Sequence, residues 1–225
     1  MMTKKKNVLM RSAGLLLVLV LVTSCFVGST FAKYTVGGTG SDTARVAKFG
    51  VNVTASGTMF AKEYATDDGN AGTITKSVIS TDKKVVAPGT KGNMASMTLT
   101  GTPEVAVRVS YAVNKFELKG WTTDGTTEYC PLVFTVGTAS YKIGDAGITS
   151  VSDLQDKVTA AITAYSKDYE AHTDLSGVGA DSLKVSWAWA FEGDDAKDTA
   201  LGSRAAEDKA ATVELEITTT VTQID

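Results

Sequence analysis

Apolar and polar positions alternate in three stretches of the chain. Val105, Val107, Val109, Tyr111 and Val113 are separated by Ala106, Arg108, Ser110 and Ala112. Leu183, Val185, Trp187, Trp189 and Phe191 repeat the pattern, as do Val213, Leu215, Ile217, Thr219 and Val221. A period of two puts one set of side chains on a buried face and the other nearer solvent, so each stretch predicts a β-strand. Val46, Phe49, Val51 and Val53 mark an earlier strand whose alternation slips near Ala47. Met94 to Thr100 is another, and Leu132 to Val136 a short one bounded by Pro131 and Gly137. Between the first strand and Val85, periodic apolar positions are scarce and Asp67-Asp68-Gly69-Asn70 signals a turn, which predicts an irregular excursion with a short strand around Ile74 to Ile79. Ala87-Pro88-Gly89-Thr90 predicts a tight turn, because Pro presets φ and Gly accepts a positive φ.

One segment changes period. Leu154, Val158, Ala161, Ile162, Tyr165 and Tyr169 follow helical spacing, and Ser152 with Gln155 three residues on forms a capping box. This predicts one amphipathic helix over Asp153 to Tyr169, with a further helical turn at Glu207 to Ala211. The final strand runs almost to Asp225, which predicts a terminus tied into a sheet. Strict alternation, short strands and Gly-rich turns, without regular α–β alternation, predict a mainly β fold. The expected form is an antiparallel jelly-roll-like β-sandwich with one inserted amphipathic helix, preceded by an N-terminal signal helix.

That leading segment has the three parts of an export signal. Lys4, Lys5, Lys6 and Arg11 are basic, Ala13 to Val22 is an uncharged run rich in Leu and Val, and small and polar residues follow up to Thr30-Phe31-Ala32. Small side chains at Thr30 and Ala32 suit the shallow pockets of a signal peptidase, the partner expected during export, and cleavage would leave Lys33 as the first residue. Two alternatives stand beside this. Ala13 to Ala32 just reaches the length of a membrane anchor, and Val22-Thr23-Ser24-Cys25 is an acceptable lipoprotein box that would tether the domain through Cys25. The expected organisation is a signal peptide over residues 1–32, a flexible Gly/Ser/Thr-rich arm over 33–45 and one β-sandwich domain over 46–225. The expected location is outside the cell.

Charge narrows the partners. The leader holds four of the 22 basic residues and none of the 25 acidic ones, so the remainder carries −7 against −3 for the whole chain. An acidic surface argues against nucleic acid and against electrostatic membrane binding. Past the leader only Cys130 remains, so an internal disulfide scaffold is not expected; the thiol reads as a small buried hydrophobe or as an intermolecular bridge. A single histidine, His172, leaves no zinc set of the usual kind.

The remaining candidate chemistry is sparse. Trp187, Trp189 and Phe191 line one face of a strand and read as core aromatics, with a carbohydrate-stacking platform as the alternative. Asp194, Asp195 and Asp198 cluster after that strand and Asp67-Asp68 form a second cluster; each reads as a solvated acidic turn, with calcium as the alternative occupant. Asn52-Val53-Thr54 matches a glycosylation sequon. The glycines at Gly37-Gly38 and Gly177 to Gly179 lack the strand–loop–helix context of a phosphate site, and no G-x-S-x-G or H-E-x-x-H occurs. No catalytic, cofactor-binding or metal-binding residue is therefore assigned.

Taken together, Gly28-Ser29-Thr30-Phe31-Ala32-Lys33-Tyr34 and Ser41-Asp42-Thr43-Ala44-Arg45-Val46-Ala47 resemble the SipW-dependent exported proteins of Gram-positive bacteria, the family of TasA and camelysin. The Ala87-Pro88-Gly89-Thr90 turn, the Gly101-Thr102 turn and Val105 to Val113 are similar to that family's early sandwich. The Trp187/Trp189 strand with Asp198-Thr199-Ala200-Leu201-Gly202 looks like its clostridial members. The resemblance implies a jelly-roll sandwich and a cell-surface or biofilm-matrix role, with fibres formed from copies of the chain, or from related matrix proteins, by donor-strand exchange. Lys33 to Val46, including Tyr34 and Val36, would be the donor arm, although Gly37, Gly38 and Gly40 weaken strand pairing. An extracellular module binding a glycan or a host surface is the alternative. Camelysin-like members are labelled metallopeptidases, but no matching zinc motif is present here, and the chain is not expected to be an enzyme.

Overall fold

The computed structural model describes residues 12–19, 45–55, 59–65, 75–93, 97–178 and 182–225. The chain divides into two units, residues 1–45 and 46–225. In the first, residues 12–19 are helical and expose Leu15, Leu16, Leu17, Val18 and Leu19. Among the described residues no helix is long and apolar enough to cross a membrane.

The second unit is mainly β, and all its strand pairs are antiparallel. In chain order the strands are β1 (Asn52–Ala55), β2 (Glu63–Ala65), β3 (Lys76–Ile79), β4 (Lys91–Asn93), β5 (Met97–Thr100), β6 (Val107–Lys119), β7 (Leu132–Val136), β8 (Ala139–Tyr141), β9 (Ser166–Tyr169), β10 (Val185–Trp189) and β11 (Thr212–Gln223). Helix α1 (Val151–Ala164) lies between β8 and β9, and helix α2 (Asp195–Ala206) between β10 and β11. The two main sheets run β4-β10-β7-β8 and β11-β6-β9, while β1 pairs with β5 and β2 with β3. The main sheets meet through their apolar faces. Phe116 of β6 packs edge-on against Phe134 of β7 at 5.1 Å, and the Tyr111 hydroxyl accepts a hydrogen bond from Leu183 N at 3.2 Å. The layers are those of a β-sandwich; the pairings do not establish the jelly-roll connection.

β6 shows how the alternation is built. Val107, Val109 and Tyr111 are buried at odd positions, then Phe116 and Leu118 at even ones. Asn114 causes the switch. It has no partner in the register, since Val113 faces Ile217 and Lys115 faces Glu216, and its amide donates to Glu216 Oε1 at 3.1 Å and Thr218 Oγ1 at 2.7 Å. Such a bulge inserts one residue and reverses the faces beyond it. The period-two pattern therefore breaks at Val113 while the strand continues to Lys119.

α1 corrects the expected helix at both ends. Its N-cap is Ser150, not Ser152: Ser150 Oγ accepts from Asp153 N at 3.1 Å, and Asp153 Oδ2 accepts from Ser150 N at 3.0 Å and Thr149 N at 2.9 Å. Gln155 instead donates from Nε2 to Phe116 O at 2.8 Å, covering part of β6 beyond the reach of β9. The helix stops at Ala164. Ser166 to Tyr169 leave it to pair with Val107 to Ser110, so Tyr169 is buried as a strand residue opposite Val107. Val151, Leu154, Val158 and Ile162 form the buried stripe.

The box makes a pH prediction. Hydrogen bonds from Thr149 and Ser150 hold the Asp153 carboxyl at about 2, below the ordinary 3.8. A depressed folded-state value means stability that is full above the unfolded value and is lost as pH falls through the folded one. Melting temperature should therefore fall between about pH 4 and pH 2, and Asp153→Asn should flatten part of that slope. An unchanged slope in the variant would remove the box from the acid transition. Asp124, Asp168, Asp174, Asp194 and Glu117, also shifted down by hydrogen bonds, contribute to the same transition.

The first expected strand is displaced. Val51 packs on the core, but Val46 is 91% exposed and β1 begins only at Asn52. The helical turn expected at Glu207 to Ala211 is instead the exit of the longer α2, with Glu207 as its C-cap.

Candidate functional site

β10 holds the aromatic strand. Trp187, 1% exposed, lies between Phe60 at 5.4 Å and Tyr64 at 6.2 Å, and its Nε1 donates to Met59 O at 3.0 Å. Trp189 packs against Trp121 at 5.7 Å, and Trp121 Nε1 donates to Thr212 O at 2.9 Å. Both candidates are core residues and offer solvent no stacking face. Phe191 is not: it is 71% exposed. β10 ends at Trp189, whose backbone exchanges hydrogen bonds with Gly89 N and Thr90 O of the predicted turn, so the apolar alternation outlasts the strand. The turn itself is closed by the buried Thr90, whose hydroxyl donates to Ala87 O at 2.6 Å and accepts from Ala87 N at 3.0 Å.

The acidic group after β10 starts α2. Asp194 is the N-cap: its side chain accepts from Lys197 N at 3.1 Å and pairs with Lys197 Nζ at 2.8 Å, and these contacts lower its carboxyl below the ordinary range. Asp198 accepts the Tyr129 hydroxyl at 2.8 Å. Burial and this carboxylate raise the Tyr129 phenol. Carboxylates in the first turn stabilise the helix N-terminus. No group of three or more His, Cys, Asp or Glu able to hold a metal occurs among the described residues. α2 was not expected from the sequence because it buries only Leu201, leaving little periodicity to read; Asp194 before an Ala-rich run was the available signal.

Cys130 is buried and free, and burial pushes its thiol up to about 12, which makes it unreactive as a thiolate. His172 sits on a turn at φ 66°, with its N–H donating to Pro103 O at 2.7 Å. Asn52 of the sequon is exposed on β1.

A sheet edge is a further candidate. β11 pairs with β6 over its whole length and has no second strand partner among the described residues. The other ends of the main sheets are β4, β8 and β9, of three, three and four residues, whereas β11 has twelve. Its first half shows Glu214 and Glu216, but from Ile217 to Gln223 it has neither charge nor proline. Short length, charge and proline are the usual protections of an edge strand, and this half carries none of the three.

Thr30, Ala32, Lys33, Tyr34, Val36 and Cys25, which bear on cleavage, lipidation and the arm, lie outside the described residues, as do Asp67 and Asp68. No family model, curated protein or solved structure matches the chain.

Proposed function

We propose that the chain is an exported structural protein of the cell surface or biofilm matrix, of the TasA and camelysin type, and that its subunits join by strand addition. The observation supporting this reading is the twelve-residue β11, without charge or proline over its second half, at the end of a main sheet. Strand addition satisfies such an edge with main-chain hydrogen bonds, and alternate side chains then set specificity. Lys33 to Val46 is the donor, released when the leader is cut after Ala32. Val46, at the end of that arm, is 91% exposed. Cleavage before Cys25 would instead tether the domain to a membrane.

Deleting Lys33 to Ala44 should abolish fibres seen by electron microscopy, and Thr220→Lys with Thr222→Lys should do the same by placing charge on the edge. N-terminal sequencing of the secreted material should begin at Lys33. Fibres formed equally well by the deletion variant would overturn the donor arm; secreted protein retaining residues 1–32 would overturn cleavage after Ala32.

A further inference from the structure

We propose that a cavity beside Trp189 binds a small aliphatic carboxylate, a ligand site separate from the β11 edge. The cavity has a volume of 460 Å³ and lies between α2, the start of β11 and the Lys83–Pro88 segment. That size is within the range of small-molecule sites. Trp121, Trp189, Leu201 and Val213 form apolar walls, and the space persists because Gly202 and Ala205 of α2 send nothing bulky into it; a Cβ added at Gly202 meets no atom within 4 Å.

Charge selects the ligand. Lys83 and Lys84 also line the cavity, are exposed, and form no ion pair among the described residues. The segment they belong to leads into the turn that is hydrogen-bonded to the Trp189 backbone. Asp198, the carboxylate on the wall, already accepts the Tyr129 hydroxyl. An apolar body with one anionic oxygen group answers this: the chain fills the walls, and the carboxylate supplies a counter-charge for the lysines.

The test is calorimetric titration of the full chain with decanoate below its micelle concentration, with decanol and decyltrimethylammonium as neutral and cationic probes. Decanoate should saturate one site and bind at least about tenfold tighter than either. Lys83→Glu with Lys84→Glu should weaken decanoate about tenfold or more and leave decanol unchanged. Gly202→Leu should abolish binding of both, with Ala205→Val as the substitute if the leucine variant fails to fold by circular dichroism. Any affinity of the apolar leader is common to all variants and cancels. Absence of saturable decanoate binding, or equal affinity in the double lysine variant, overturns the site. A short peptide ending in a free Leu carboxylate that binds tighter than decanoate overturns the aliphatic-acid assignment.

Discussion

Trp187→Ala is expected to lower unfolding stability by about 3–5 kcal/mol, while Phe191→Ala changes it by less than about 0.5 kcal/mol. The two residues share one alternating pattern, yet their surroundings differ completely. Trp187 is enclosed by Phe60, Tyr64 and the backbone of β4, and its removal opens a large cavity and strips Met59 O of its donor. Phe191 has its ring against Gly89 and otherwise meets solvent. For a chain of this size the Trp187 loss corresponds to a fall in melting temperature of roughly 6–20 °C. Equal melting temperatures for Trp187→Ala and the parent would refute the core assignment and restore the stacking platform.

Gly92→Ala should cost about 3 kcal/mol or more, by overpacking and by breaking a buried hydrogen bond. Gly92 faces Trp187 across the β4–β10 pair. A Cβ there would fall inside van der Waals distance of Met59 O and 2.7 Å from Trp187 Nε1, the two atoms joined in the Met59–Trp187 hydrogen bond. Neither can retreat easily, since one is backbone and the other belongs to a packed indole. Gly202→Ala is the control: it sits in the middle of α2 with open space at its Cβ, and helix propensity predicts a gain of about 1 kcal/mol. Urea unfolding of both variants measures the contrast. A Gly92→Ala protein as stable as the parent would mean that the segment at Met59 does not pack on Trp187 as described.

Much of the scaffold was legible because strand alternation is a local property. Leu132 to Val136 is a strand over the expected residues, β11 runs one residue beyond the alternation at its start and two at its end, and Ala87 to Thr90 closes the expected turn. The expected tie of the C-terminus to the sheet takes the form of Ile224 N donating to Ala106 O at 2.9 Å. Errors arose where two local signals competed. Ser150-x-x-Asp153 and Ser152-x-x-Gln155 both resemble a cap, and Tyr165 and Tyr169 fit a helix by spacing although the chain there is claimed by β6.

The sequence by itself determined the β class, the face of most strands and the amphipathic stripe of α1, because side-chain period follows backbone geometry within a few residues. Tertiary structure decided the rest. It set the bulge at Asn114 that reverses the faces of β6, the outward position of Phe191, the glycine required at Gly92, the cavity beside Trp189 and the place of β11 at a sheet edge. Each of these depends on which distant segment lies alongside, and an alternating strand reads the same whether one of its edges is paired or both are.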